Sequence, residues 1–131
     1  MSENTVDQRS HPAATPLPEN PVHRAAMARD PKTPPEHFQA LATDPVFFVR
    51  YAVAISRLTP PDVLTEMLRD PHPYVRAALA HNPQTPNGLV AILKADPDPD
   101  VRAVAKLSME QRIHDALYGP FDPPPDRGRS R

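Results

Sequence analysis

A chain of 131 residues with 39% hydrophobic residues has room for one modest core, and a formal net charge of −1 gives no global attraction to nucleic acid or to an anionic membrane. The absence of cysteine excludes a disulfide framework, a thiolate metal site and a cysteine nucleophile. No apolar stretch near the start has the length of a signal-peptide core or a membrane span, so a cytoplasmic protein without a membrane partner is expected.

Residues 1–19 are polar, lack helical periodicity and contain three prolines, and they are expected to form a disordered arm. A helical repeat domain is expected over 20–119. It opens at Asn20-Pro21, where asparagine can cap a helix and proline suits the first helical position. From here a period of 26 residues governs the chain. Arg24, Arg50, Arg76 and Arg102 keep that spacing, as do Asp44, Asp70 and Asp96, the threonines 33, 59 and 85, and the small polar residues Asp30, Ser56, Asn82 and Ser108. Thirteen of the twenty prolines lie between residues 21 and 99, mostly on the same register. They read as punctuation between short helices rather than as a mark of disorder.

Each unit is predicted to hold two helices. The helix carrying the arginine has an apolar stripe at i, i+3, i+4: Val49, Ala52 and Val53, then Val75, Ala78 and Leu79, then Val101, Val104 and Ala105. It is expected to stop at the small polar rung, whose side chains compete for backbone hydrogen bonds, with Pro31 and Pro83 blocking continuation. The second helix is announced by Thr33-Pro-Pro-Glu36, Thr59-Pro-Pro-Asp62 and Thr85-Pro-Asn-Gly88, with Thr33, Thr59 and Thr85 as expected N-caps. Its buried stripe is predicted at Phe38, Leu41 and Ala42, then Leu64, Met67 and Leu68, then Leu89, Val90 and Leu93. Such short helices are marginal alone and must be held by packing, and some turns are expected to be 3-10.

The fourth unit departs from the pattern. Ser108-Met-Glu-Gln111 reads as a capping box without proline, so Ser108 is the expected cap of a helix running to Tyr118, with Gly119-Pro120 as the stop and Glu110, Arg112 and Asp115 facing water as a terminal cap. Residues 120–131 are expected to form a disordered proline- and arginine-rich tail.

The pattern Asp-Pro-x-x-x-Val-Arg-x-Ala-x-Ala followed by a polar turn and Thr-Pro-Pro, over residues 20 to about 110, resembles the variant leucine-rich repeat family. The Asp-Pro-x-x-x-Val-Arg portion is also similar to the second helix of HEAT repeats, whose Asp and Arg form a ladder between units. These resemblances imply an all-α, right-handed α-solenoid of short paired α and 3-10 helices, about four repeats of 26 residues, serving as an interaction scaffold. Founding variant-repeat proteins carry a cysteine cluster holding a 4Fe-4S centre. With no cysteine here, that cofactor does not carry over, and no other cofactor is expected.

Two readings of the arginine ladder are open. As a basic stripe it would track nucleic-acid phosphates. As a structural ladder, Arg24, Arg50, Arg76 and Arg102 would pair with Asp44, Asp70 and Asp96, each arginine meeting the aspartate of the next unit or of its own. The balanced net charge favours the structural reading. Phe47, Phe48, Tyr51 and Tyr74 gather four of the seven aromatic residues at the start of two adjacent arginine helices, either as filling between helices or as exposed anchors for a protein partner. The six histidines show no i, i+4 pair on one predicted helix, so no metal site is expected. No phosphate loop, nucleophile elbow or carboxylate pair suggests catalysis. The expected function is therefore non-catalytic protein binding, with nucleic-acid binding through the ladder as the alternative.

Overall fold

The computed structural model describes residues 16–119; the expected tail over 120–131, and the expected arm except for residues 16–19, lie outside the described residues. The described chain is all-helical, and its elements follow the proline punctuation. They are α1 (Pro21–Met27), α2 (Glu36–Ala42), α3 (Phe47–Ile55), α4 (Pro61–Glu66) with a 3-10 turn at Met67–Arg69, α5 (Pro73–His81), α6 (Asn87–Leu93) and α7 (Pro99–Tyr118). No strand occurs among the described residues.

Local chemistry starts and stops these helices. Asn20 Oδ1 accepts the Val22 N–H at 2.8 Å, His72 Nδ1 accepts the Tyr74 N–H at 3.1 Å, and Asp98 Oδ1 accepts the N–H groups of Asp100 and Val101 at 2.8 and 3.2 Å. In each case a proline at the first helical position needs no donor partner. At the far end, Gly119 takes the positive φ of 83° that releases the chain from α7.

Except for α7, none of these helices exceeds nine residues, so their persistence depends on packing. Along the arginine-bearing set, α1 packs on α3, α3 on α5, and α5 on α7. In the other set α2 packs on α3 and α4, and α6 lies against α5 and α7. Between the sets runs one apolar cluster in which Val49, Val75 and Val101 are fully buried, together with Leu41, Leu64, Leu79 and Leu93. Each such side chain contributes about 1.5–3 kcal/mol by leaving water.

Three expectations need correction. Thr33, Thr59 and Thr85 do not cap the helices that follow them. Their hydroxyls donate to the carbonyl oxygens of Met27, Val53 and Leu79, each at 2.7 Å, so they close the helix that precedes. The proline residues that follow remove early N–H donors from the next helix, while the last carbonyls of the preceding one need partners. Ser108 caps nothing, because α7 runs through it. Between Pro99 and Pro120 no proline interrupts the chain, and Met109, Glu110 and Gln111 are good helix formers. In α4 the buried stripe begins one residue early, at Val63, Leu64 and Met67. Leu68 is only half-buried, because the helix tightens into the 3-10 turn at Met67. Leu89 at the start of α6 is likewise half-buried.

Candidate functional site

The arginine ladder is locked into the fold. Arg24 reaches Asp44 with Nε at 2.6 Å and its second terminal nitrogen at 3.2 Å; Arg50 holds Asp70 at 2.7 and 3.3 Å, and Arg76 holds Asp96 at 2.8 and 3.1 Å. Each pair therefore joins one unit to the next through a two-point contact. The remaining terminal nitrogen turns back to backbone carbonyls: Pro18 and Glu19 for Arg24, Asp44 and Pro45 for Arg50, and Asp70 for Arg76. Every aspartate has a second duty, accepting the N–H two residues on, from Val46, His72 and Asp98. Arg102 donates to the carbonyls of Asp96 and Pro97, with no carboxylate partner among the described residues. The guanidinium edges that a phosphate track needs are thus already engaged at Arg24, Arg50 and Arg76.

The electrostatics give a pH prediction. Burial works against ionisation of Asp44 and Asp96. It is outweighed by the hydrogen bond from Arg24 or Arg76, by the backbone N–H of Val46 or Asp98, and by the charge of the flanking arginines. Both carboxyls are held below the ordinary value of 3.8. A carboxyl whose folded value lies below its unfolded one stabilises the fold above the unfolded value and loses that contribution as pH falls through the folded value. The thermal midpoint should be level between pH 7 and about 5 and should drop below about pH 4. A midpoint unchanged at pH 3 would contradict the pairing.

On the outer side of α3, α5 and α7 a different surface forms. Phe48, Tyr51 and Ile55 stand at i, i+3, i+7 along α3, opposite the buried Val49 and Val53. Tyr74, Ala77, Ala78 and His81 repeat the stripe one unit on, and Val104 continues it on α7. With Phe47, these residues line a cleft of about 470 Å³. Phe47, Phe48, Tyr51 and Ile55 are each a little over one third exposed and Tyr74 is 63% exposed, unlike the residues that fill the core. The ring of Phe47 stacks on His72 with centroids 4.1 Å apart and planes 5° from parallel, and Tyr74 tilts against the same imidazole at 5.1 Å. All four aromatic residues singled out in the sequence thus converge on one cleft. Ile55 and His81 were missed, and Val104, expected in the buried stripe of its helix, is only half-buried and opens on the cleft, although each sits 26 residues from another lining position: 55 with 81, 78 with 104.

A second cleft of about 920 Å³ adjoins the first and shares His81 and Val104 with it. Arg57, Asn87, Leu107, Ser108, Gln111, Arg112 and Asp115 lie on its walls. Arg112, expected to face water, is half-buried and reaches back across the turn after α5. It donates to the carbonyls of Thr85 and Asn82 at 2.6 and 2.8 Å and to Asn87 Oδ1 at 2.7 Å. No family model, curated protein or solved structure matches this chain. Among the described residues no helix is long and apolar enough to cross a membrane.

Proposed function

We propose that this chain is a non-catalytic protein-binding module, a right-handed α-solenoid of about four variant leucine-rich-repeat or HEAT-like units whose aromatic cleft receives the partner. The solenoid reading draws support from the contacts of α1 with α3, α3 with α5 and α5 with α7, and from arginine–aspartate pairs repeated at one spacing. One observation carries the functional reading: four exposed aromatic side chains share one apolar cleft, while the most regular charged residues are spent inside the fold. Exposed aromatic residues clustered in a concavity are the side chains that dominate protein–protein hot spots.

The test pairs stability with capture. Replacing Tyr51 and Tyr74 together by serine should change stability by less than about 1 kcal/mol, as expected of exposed positions. The same change should remove proteins that the wild-type chain retains from an extract of its own cell. Retention should also survive raised salt, because the contact is apolar. Equal retention by both proteins would reject the cleft. Binding to a random duplex that weakens steeply with salt would move the function to nucleic acid, since each phosphate contact adds about one unit to the salt slope.

A further inference from the structure

Two observations stand apart from the aromatic cleft. The first is continuity. The aromatic and polar clefts meet at His81 and Val104. Along α7 the surface runs on from Val104 to Ala116, about 18 Å at 1.5 Å per helical residue. That length accommodates about five residues of extended chain beyond the aromatic cleft. The second is uncompensated charge. The arginines of the ladder at 24, 50 and 76 each face a carboxylate, but Arg112 has only two carbonyls and an amide oxygen as partners. Burial alone pulls its guanidinium below the ordinary arginine value, with no anion acting in the other direction. Arg57 on the same walls is exposed, and no hydrogen bond engages it among the described residues. The one acid there, Asp115, accepts from Gln111 Nε2 at 2.9 Å and lies 3.6 Å from His114 Nδ1. Two cations against one carboxylate leave this end of the surface positive.

We infer that the two clefts form one bipartite groove, and that its partner is a protein segment in which apolar side chains are followed by acidic ones. The apolar residues fill the space between Phe48, Tyr51, Ile55, Tyr74 and His81, and the acidic ones meet Arg57 and the free edge of Arg112. Carboxylates fit better than nucleic-acid phosphates, because two cations beside an aspartate are too few to neutralise a strand. Charge of this kind sets orientation and partner choice more than it sets total affinity. The inference rests on the protein-binding reading above and adds the chemistry of the partner to it.

The probe is a displayed library of random 12-residue peptides, selected on the full chain and counter-selected on the Tyr51→Ser/Tyr74→Ser variant. Selected peptides are expected to carry two or three aromatic or aliphatic residues with aspartate or glutamate clustered at one end. They should bind Arg57→Glu at least tenfold more weakly than wild type, and Arg57→Gln with a smaller loss. Because Arg57 is exposed, neither change should disturb folding, which the thermal midpoint checks. Peptides that need the tyrosines but show no acidic bias, and that bind Arg57→Glu as well as wild type, would overturn this inference and leave the protein-binding reading standing. No enrichment over the tyrosine variant would overturn both. Full competition by a free peptide of residues 119–131 would assign the groove to the chain's own terminus, and tighter binding of a 12-nucleotide single strand would assign it to nucleic acid. Either result would overturn the inference as well.

Discussion

Replacing Arg76 by alanine should cost about 3–5 kcal/mol and lower the thermal midpoint by more than about 10 °C. The size of the effect follows from what is left behind. Asp96, only 5% exposed at its side chain, loses the two-point contact to Arg76 but stays buried, and the Asp70 carbonyl loses its 2.7 Å donor. An ionised carboxylate with its counter-charge removed is far more costly than a pair never made, so removing both partners should hurt less than the sum of the single changes. Arg76→Ala/Asp96→Ala is therefore expected to be less destabilised than the two single variants added together. Asp96→Asn should be milder than Asp96→Ala, because an amide oxygen can go on accepting from the Asp98 N–H and from one guanidinium nitrogen, but still costly, because the Arg76 charge loses its counter-charge. Chemical denaturation read by circular dichroism separates these cases. An unchanged midpoint for Arg76→Ala would mean that the ladder contributes nothing to stability, and its arginines would return as candidates for ligand binding.

Legibility in this sequence followed the period. Wherever a residue type recurs every 26 positions, its role in one unit constrains its role in the next, and this is why an arginine–aspartate ladder could be anticipated from spacing, while the choice of Asp70 in the next unit over Asp44 in its own as partner of Arg50 could not. The helix start at Asn20-Pro21 was readable for a local reason, since capping and the fixed proline φ act within three residues. What failed to show was direction. A threonine before two prolines looks the same in sequence whether its hydroxyl turns forward to the next helix or back to the previous one. The choice was made by carbonyls of the last helical turn six residues upstream, at Met27, Val53 and Leu79, each of which accepts the hydroxyl beside one backbone N–H. Equally hidden was the long α7. Its continuity is set by the absence of proline over twenty residues rather than by any residue present, and it carries Arg112 to a place that no i, i+26 rule predicts. The cleft was half legible. The aromatic residues announced themselves by type, but Ile55, His81 and Val104 became part of it only because α3, α5 and α7 lie side by side.

The small polar rungs carry a role that their sequence positions only hinted at. Asn82 was expected to end its helix, and it does, but its side chain also binds units together. Nδ2 donates to the carbonyls of Ala54 and Ser56, both at 2.8 Å, while Oδ1 accepts the Gln84 N–H at 2.8 Å. One unit earlier, the Ser56 hydroxyl donates to the Ala28 carbonyl. One unit later the place is taken by Arg112, which reaches the Asn82 carbonyl from a helix that has run past the rung. Asn82 is fully buried, as are Ala54 and Ala80 around it, so water cannot replace what it supplies. Changing Asn82 to alanine should therefore cost about 3 kcal/mol, from two carbonyls and one N–H left without partners at about 1–3 kcal/mol each, reduced by partial relaxation. Asn82→Ser should recover part of this loss, since a hydroxyl there can imitate Ser56 and restore one donor. Asn82→Asp should be at least as damaging as alanine, because it sets a negative charge against the Ala54 and Ser56 oxygens without a hydrogen to share. That ranking, serine above alanine and aspartate in urea midpoint, distinguishes a donor role from simple volume, since aspartate matches asparagine in size. Aspartate ranking level with wild type would show that only the space at Asn82 matters.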